Sequence, residues 1–172
     1  MRSYDPVYKV NPPLRSERDV MALREALADG TLDIVATDHA PHPVEDKDCE
    51  WAEAAMGMVG LETALGVVAE AMVRTGLLDW AGVAERMSHA PARIGRLPGH
   101  GRPLAVGEPA NLVLVDPDAE RVVDPRALNS RSRNTPYAGR TLPATVVATF
   151  LRGRPTLLDG TVRSARTEVV SA

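Results

Sequence analysis

The stretch "SERDVMALREALADGTLDIVATD", residues 16–38, constrains the fold more than any other, because a helical pattern runs directly into one short apolar strand. Ser16 can cap a helix over 17–29, and Asp19 lies three residues on, as in a capping-box variant. Val20, Leu23 and Leu27 share one face, and Gly30 ends the helix. Ile34, Val35 and Ala36 then suit a strand at 32–37 buried on both faces of a parallel sheet. One such strand cannot make a sheet, since parallel strands need cover on both faces and partners at their edges. The expectation is that a partner chain completes the sheet or that these residues end a longer protein.

The remaining pattern divides the chain. Leu61, Ala64, Leu65, Val68 and Met72 recur at helical spacing and close at Gly76. Shorter helices are expected at 80–87 and 89–95, the second begun by Ser88 with Pro91 in its first turn. From Gly99 the character changes to a linker, "GHGRPLAVGEP", followed by "NLVLV", "RVVD", "TVVATFLRG" and "PTLLDG", which read as strands joined by turns. The expected division is therefore 1–98, helices with a parallel strand, and 99–172, a linker and β strands.

Composition limits the setting. With 44% hydrophobic residues in 172, the chain can bury a core, and a net charge of −3 gives no general attraction for phosphate backbones. Neither nucleic acid nor a membrane is an expected partner, since no apolar run is long enough to span a bilayer. The one cysteine, Cys49, cannot form an internal disulfide, and "MRSYDPVYKVNPPLR" lacks the features of a signal peptide, so the cytoplasm is the expected compartment.

The expected strand leads into "TDHAPH", residues 37–42. In parallel α/β folds the carboxyl ends of strands carry reacting groups, which makes Asp38 a candidate for chemistry. It could equally cap the following turn, with His39 and His42 merely flanking Pro41, and the stretch by itself leaves both readings open. His39 would point away from Asp38 at a strand end, which suits a supporting role. His89 falls at a helix start, His100 in the linker, and Cys49 has no partner at metal-ligand spacing. Met56, Met58, Met72 and Met87 suit a core.

Taken together, "VYKVNPPLR", "DIVATDHAPH", "AAMGMVGLETAL" and "SRNTPYAGRTLPATVVATFLRGRPTLLDG" resemble the C-terminal portion of bacterial dihydroorotases of the amidohydrolase superfamily. The resemblance covers essentially the whole chain. It implies an α/β fold: the C-terminal part of a (β/α)8 barrel of the TIM type, with the C-terminal strands of a small β domain. On that mapping 7–10 lead to the end of the seventh barrel strand, 32–37 form the eighth, and 111–158 belong to the β domain. Members of the family reversibly hydrolyse L-dihydroorotate to N-carbamoyl-L-aspartate at a zinc centre, and de novo pyrimidine synthesis uses the ring-closing direction.

The resemblance also assigns roles. Asp38 matches an aspartate that ligates zinc and shuttles the proton between metal-bound hydroxide and the ring nitrogen, which must be protonated before it leaves. Asn11 and His42 match residues that bind the substrate's carboxylate, and Met56 and Gly57 match a loop whose backbone contacts the ring. The family draws its other metal ligands from earlier strands, beginning with His-x-His, a pattern this sequence does not contain. By itself the chain is therefore expected to be inactive. Two other functions compete: a noncatalytic dihydroorotase-like module or scaffold for aspartate transcarbamoylase, and another cyclic amidase such as an allantoinase or hydantoinase. His42 and the Asn11 motif argue against the amidases. A small-molecule substrate is expected, with a homo-oligomer or association with aspartate transcarbamoylase as further expectations.

Overall fold

The computed structural model describes residues 4–163; residues 1–3 and 164–172, the outer ends of the two expected divisions, lie outside the described residues. Helix α1 (Glu17–Asp29) forms where its local signals place it. The Ser16 hydroxyl accepts the Asp19 N–H while the Asp19 carboxylate accepts the Ser16 N–H, and Gly30 closes the helix in the left-handed conformation. Leu27 and Ala28 reach the core, but Leu23 is 54% exposed because no described element covers that end of the face.

The next two helices begin or continue differently from expectation. The chain turns at 61–63 before α2 (Ala64–Val68), which passes into a π-helical turn at Ala69–Val73, where Arg74 N–H donates to the Ala69 carbonyl at 2.9 Å. Helix α3 (Trp80–Ala84) runs through a second π turn, Glu85–His89, into α4 (Ala90–Ile94). The break expected at Ser88 is therefore absent, and His89 lies inside the helix, 3.4 Å from Glu85. Pro91 has no N–H to donate and crowds the preceding turn, and the wider π turn before it accommodates both effects. Asp79 caps α3 by accepting the Gly82 N–H at 2.7 Å.

The core lies where these helices meet. Val68, Met72 and Val83 are buried, with Leu27, Val35, Leu78 and Met87 packed around them. Each such side chain contributes roughly 1.5–3 kcal/mol on full burial. Met72 and Met87 thus act as core residues, whereas Met56 is 55% exposed and does not.

The C-terminal part forms an antiparallel meander: β1 (Leu112–Val122), β2 (Thr141–Leu151), β3 (Arg154–Leu158) and β4 (Thr161–Val162), paired in that order. The two short strands expected from "NLVLV" and "RVVD" are one irregular strand, because the Asp116 carboxylate accepts the N–H groups of Asp118 and Ala119 and shifts the register between Asp116 and Glu120. Two-residue turns at 152–153 and 159–160, with positive φ at both positions, join β2 to β3 and β3 to β4 with a twist that matches the strands. Arg140 and Glu70 at 2.8 Å, and Arg74 with Glu120, tie helix to sheet.

The parallel strand expected at 32–37 does not form a ladder. The segment runs outside regular structure, with Val35 N–H donating to the Arg86 carbonyl at 3.1 Å, and among the described residues the only parallel pairing is an isolated bridge between His39 and Met58. Its pattern is that of a buried strand, but a ladder needs neighbours, and the described residues supply none.

Candidate functional site

The end of the apolar segment meets three other parts of the chain. Asp38 has φ of 44°, turning the chain, and its side chain lies in an exposed position. Asp and Asn tolerate this left-handed conformation better than other side chains that carry a Cβ. Beyond it, Ala40 N–H donates to the Met58 carbonyl at 2.9 Å. His39 Nδ1 accepts the N–H groups of Gly60 and Leu61 at 3.1 and 3.3 Å, so the ring proton sits on Nε2 and the side chain supports the loop, as expected.

Gly57 is the meeting point. Its N–H donates to the Lys9 carbonyl at 2.9 Å, which brings the Asn11 turn, two residues further on, against the 56–58 loop. Its carbonyl accepts from Asn134 Nδ2 at 3.2 Å. With φ of 147°, Gly57 has no room for a side chain: a Cβ there would lie 2.6 Å from Ala40 Cβ and 2.8 Å from His42 Nε2. His42 Nε2 donates to the Met56 carbonyl at 3.1 Å, and its Nδ1 faces Asp46 at 3.8 Å. The structure therefore brings together His42, Met56 and Gly57, with the Asn11 turn beside them. Engaging a carboxylate through His42 Nε2 requires exchanging the Met56 carbonyl for that ligand.

Two residues that sequence reasoning gave no role hold this arrangement from 90 positions away. Ser132 and Asn134 are buried and bonded to each other, with Ser132 Oγ accepting the His42 N–H at 3.2 Å. Asn134 Nδ2 also donates to the Ala40 carbonyl at 3.0 Å, and the Asn134 carbonyl accepts the Val59 N–H at 3.1 Å. Their segment is anchored in turn by Glu62, whose carboxylate accepts the N–H groups of Asn129 and Ser130, each at 3.0 Å. Partial burial works to raise the Glu62 carboxyl, and these donors, with Arg121 nearby, outweigh it and hold the group below the usual carboxylate range.

Cys49 donates to the Asp46 carbonyl and His100 N–H to the Leu97 carbonyl, bonds made within the acidic loop and the linker. A catalytic zinc site requires about three protein ligands. Among the described residues no three His, Cys, Asp or Glu side chains group closely enough to hold a metal. These residues do not fit a complete zinc centre, although the exposed Asp38 carboxylate could supply one ligand.

The sequence profile of the amidohydrolase family matches residues 10–156. The chain belongs to the amidohydrolase family. Its relatives in that family include the dihydroorotase of Streptomyces coelicolor, 74% identical over 160 residues, covering 93% of this chain and 37% of that protein. The dihydroorotase of Mycobacterium tuberculosis is 57% identical over 164 residues, covering 95% of this chain and 38% of its own length. Thus this amidohydrolase chain spans little more than a third of the curated relatives it matches. Among solved amidohydrolase structures, L-hydantoinase (dihydropyrimidinase) from Arthrobacter aurescens superposes with a TM-score of 0.85 at 34% identity, over 94% of this chain and 36% of that one. A D-hydantoinase gives 0.82 at 26%, over 91% and 35%. These similarities fit an α/β fold, and no helix among the described residues is long and apolar enough to cross a membrane.

Proposed function

We propose that this chain is the part of a dihydroorotase that carries its proton-transferring carboxylate and one wall of its substrate pocket. The reaction is the reversible hydrolysis of L-dihydroorotate to N-carbamoyl-L-aspartate, the cyclic-amide step of pyrimidine synthesis in the cytoplasm. The observation that carries this reading is the convergence on Gly57 of the Lys9–Asn11 turn and the "TDHAPH" loop, in a chain 74% identical to a dihydroorotase. In this reading the 32–37 segment is the eighth strand of a (β/α)8 barrel and acquires its ladder from barrel strands outside these residues. Residues 1–98 belong to that barrel, and 99–172 form the linker and β-domain strands.

Asp38 is assigned the proton. Water adding to the ring carbonyl must lose a proton, and the ring nitrogen must gain one before the C–N bond breaks. A carboxylate at the strand end can receive the first and deliver the second, and its left-handed backbone turns it out of the apolar segment. Asn11 and His42 anchor the substrate's carboxylate, while the backbone of Met56 and Gly57 faces its ring. Zinc is the metal proposed, with Asp38 one of its ligands and the others from outside this chain.

Hydantoinase activity is the second reading, with which the likeness to L-hydantoinase is consistent. Dihydroorotate carries a ring carboxylate that hydantoin and dihydrouracil lack. The test is kcat/KM of a full-length enzyme containing this chain on all three. Strong preference for dihydroorotate supports the proposal, and equal or better turnover of the other two refutes it.

A further inference from the structure

Lys47 lies in the acidic loop "EDKDCEW" and has no part in the roles assigned above. Its Nζ donates to three backbone carbonyls: Ala55 at 2.9 Å, Gly57 at 3.0 Å and Lys9 at 3.3 Å. An ammonium has three protons and no acceptor capacity, so these carbonyls use its whole donor set. Asp46 and Asp48 adjoin it in sequence, yet no carboxylate among the described residues forms an ion pair with it. Partial burial, and then the neighbouring Lys9 charge, hold the Lys47 amine below the usual lysine range.

The three carbonyls belong to two segments far apart in sequence. Lys9 precedes Asn11 by two residues, and Ala55 and Gly57 flank Met56. The Lys9 carbonyl thus receives both Lys47 and the Gly57 N–H, while the Lys9 ammonium reaches back to the carbonyls of Trp51 at 2.8 Å and Ala52 at 3.0 Å. The loop therefore remains attached by other bonds if Lys47 is replaced. What is lost is the group that, among the described residues, binds both sides of Met56 and the turn leading to Asn11 at once.

We propose that Lys47 is a positioning residue whose ammonium couples the Asn11 turn to the Met56–Gly57 loop and so fixes the spacing between the two groups that grip the substrate. The inference rests on the assignment of Asn11, Met56 and Gly57 to substrate binding. A compact ammonium radiates its three donors, whereas guanidinium is a planar fork, so arginine keeps the charge without serving the same three carbonyls.

The experiment compares Lys47→Met and Lys47→Arg with wild type in a full-length enzyme containing this chain. Amide hydrogen exchange over 8–11 and 54–58 is followed beside steady-state kinetics. Both variants should exchange faster in those two segments while α1 and β1 keep wild-type rates. KM should rise about tenfold, with kcat changing less, as expected for loosened ground-state binding. Unchanged exchange in either segment would overturn the proposal, and so would loosened segments with wild-type KM, or an arginine variant that behaves as wild type. If the wild-type enzyme ignores dihydroorotate, the substrate assignment fails by itself. Exchange, together with KM for whichever cyclic amide the enzyme does hydrolyse, still decides the role of Lys47.

Discussion

Replacing Gly57 with alanine tests whether the loop contacts are as tight as the geometry requires. The added methyl would sit 2.6 Å from Ala40 Cβ, where carbon atoms normally keep roughly 3.5–4.0 Å, and 2.8 Å from His42 Nε2. Ala40 Cβ cannot give way, because Ala40 is held through both its N–H and its carbonyl, whereas His42 Nε2 is the tip of its ring and can yield only by leaving the Met56 carbonyl. Overlap of this kind costs about 1–3 kcal/mol, and an L residue at φ of 147° adds backbone strain of about 1–3 kcal/mol. The full-length enzyme should therefore lose about 2–6 kcal/mol by denaturant unfolding if the loop stays in place. If the loop moves instead, His42 moves with it and KM for dihydroorotate rises while the stability loss shrinks. Gly76→Ala is the control for the backbone contribution alone, because Gly76 also has positive φ, 74°, while its Cβ would meet nothing within 4 Å. A Gly57→Ala enzyme within about 1 kcal/mol of wild type and with unchanged KM would refute the reasoning.

Asn11→Ala and His42→Ala should each raise KM for dihydroorotate about tenfold to a hundredfold and lower kcat less, since the ring carboxylate keeps its charge throughout the reaction. Kinetics on dihydrouracil check this: both variants should discriminate against it less than wild type does. Glu62→Gln should destabilise the protein at neutral pH, and its deficit against wild type should shrink on acidification. The Glu62 carboxyl titrates lower in the folded chain than in the unfolded one, so its contribution is present above the unfolded value and lost as pH falls through the folded one. Denaturant unfolding of both proteins at a series of pH values measures the difference, and a deficit that grows toward acid pH would contradict this account.

The sequence revealed local features better than distant ones. Helix α1 was legible because its signals, Ser16, Asp19 and Gly30, act on their own neighbours. Ser88 and Pro91 suggested a helix start because the same residues begin helices elsewhere, but here a π turn absorbs the proline inside a continuing helix. The 32–37 pattern identified a segment suited to a buried strand, but not the ladder, which depends on strands remote from it. Gly57 and His42 stood out through their motifs and do meet. Ser132 and Asn134 did not stand out, because burial of a polar side chain in a loop leaves no periodic trace. The available signal was "SRNTPY" itself, a polar run within the stretch that carried the family resemblance.

The assignment of Asp38 as the proton carrier is tested most directly by turnover of Asp38→Asn in a full-length enzyme containing this chain, with zinc content measured on the same samples. Asparagine tolerates the left-handed backbone at this position and keeps the side chain's shape, so the fold should be unchanged. It cannot accept the proton at neutral pH. Loss of a positioned acid–base group should lower kcat by about a hundredfold or more in both directions. Retention of more than about a tenth of wild-type turnover, with zinc at the wild-type level, would contradict the assignment.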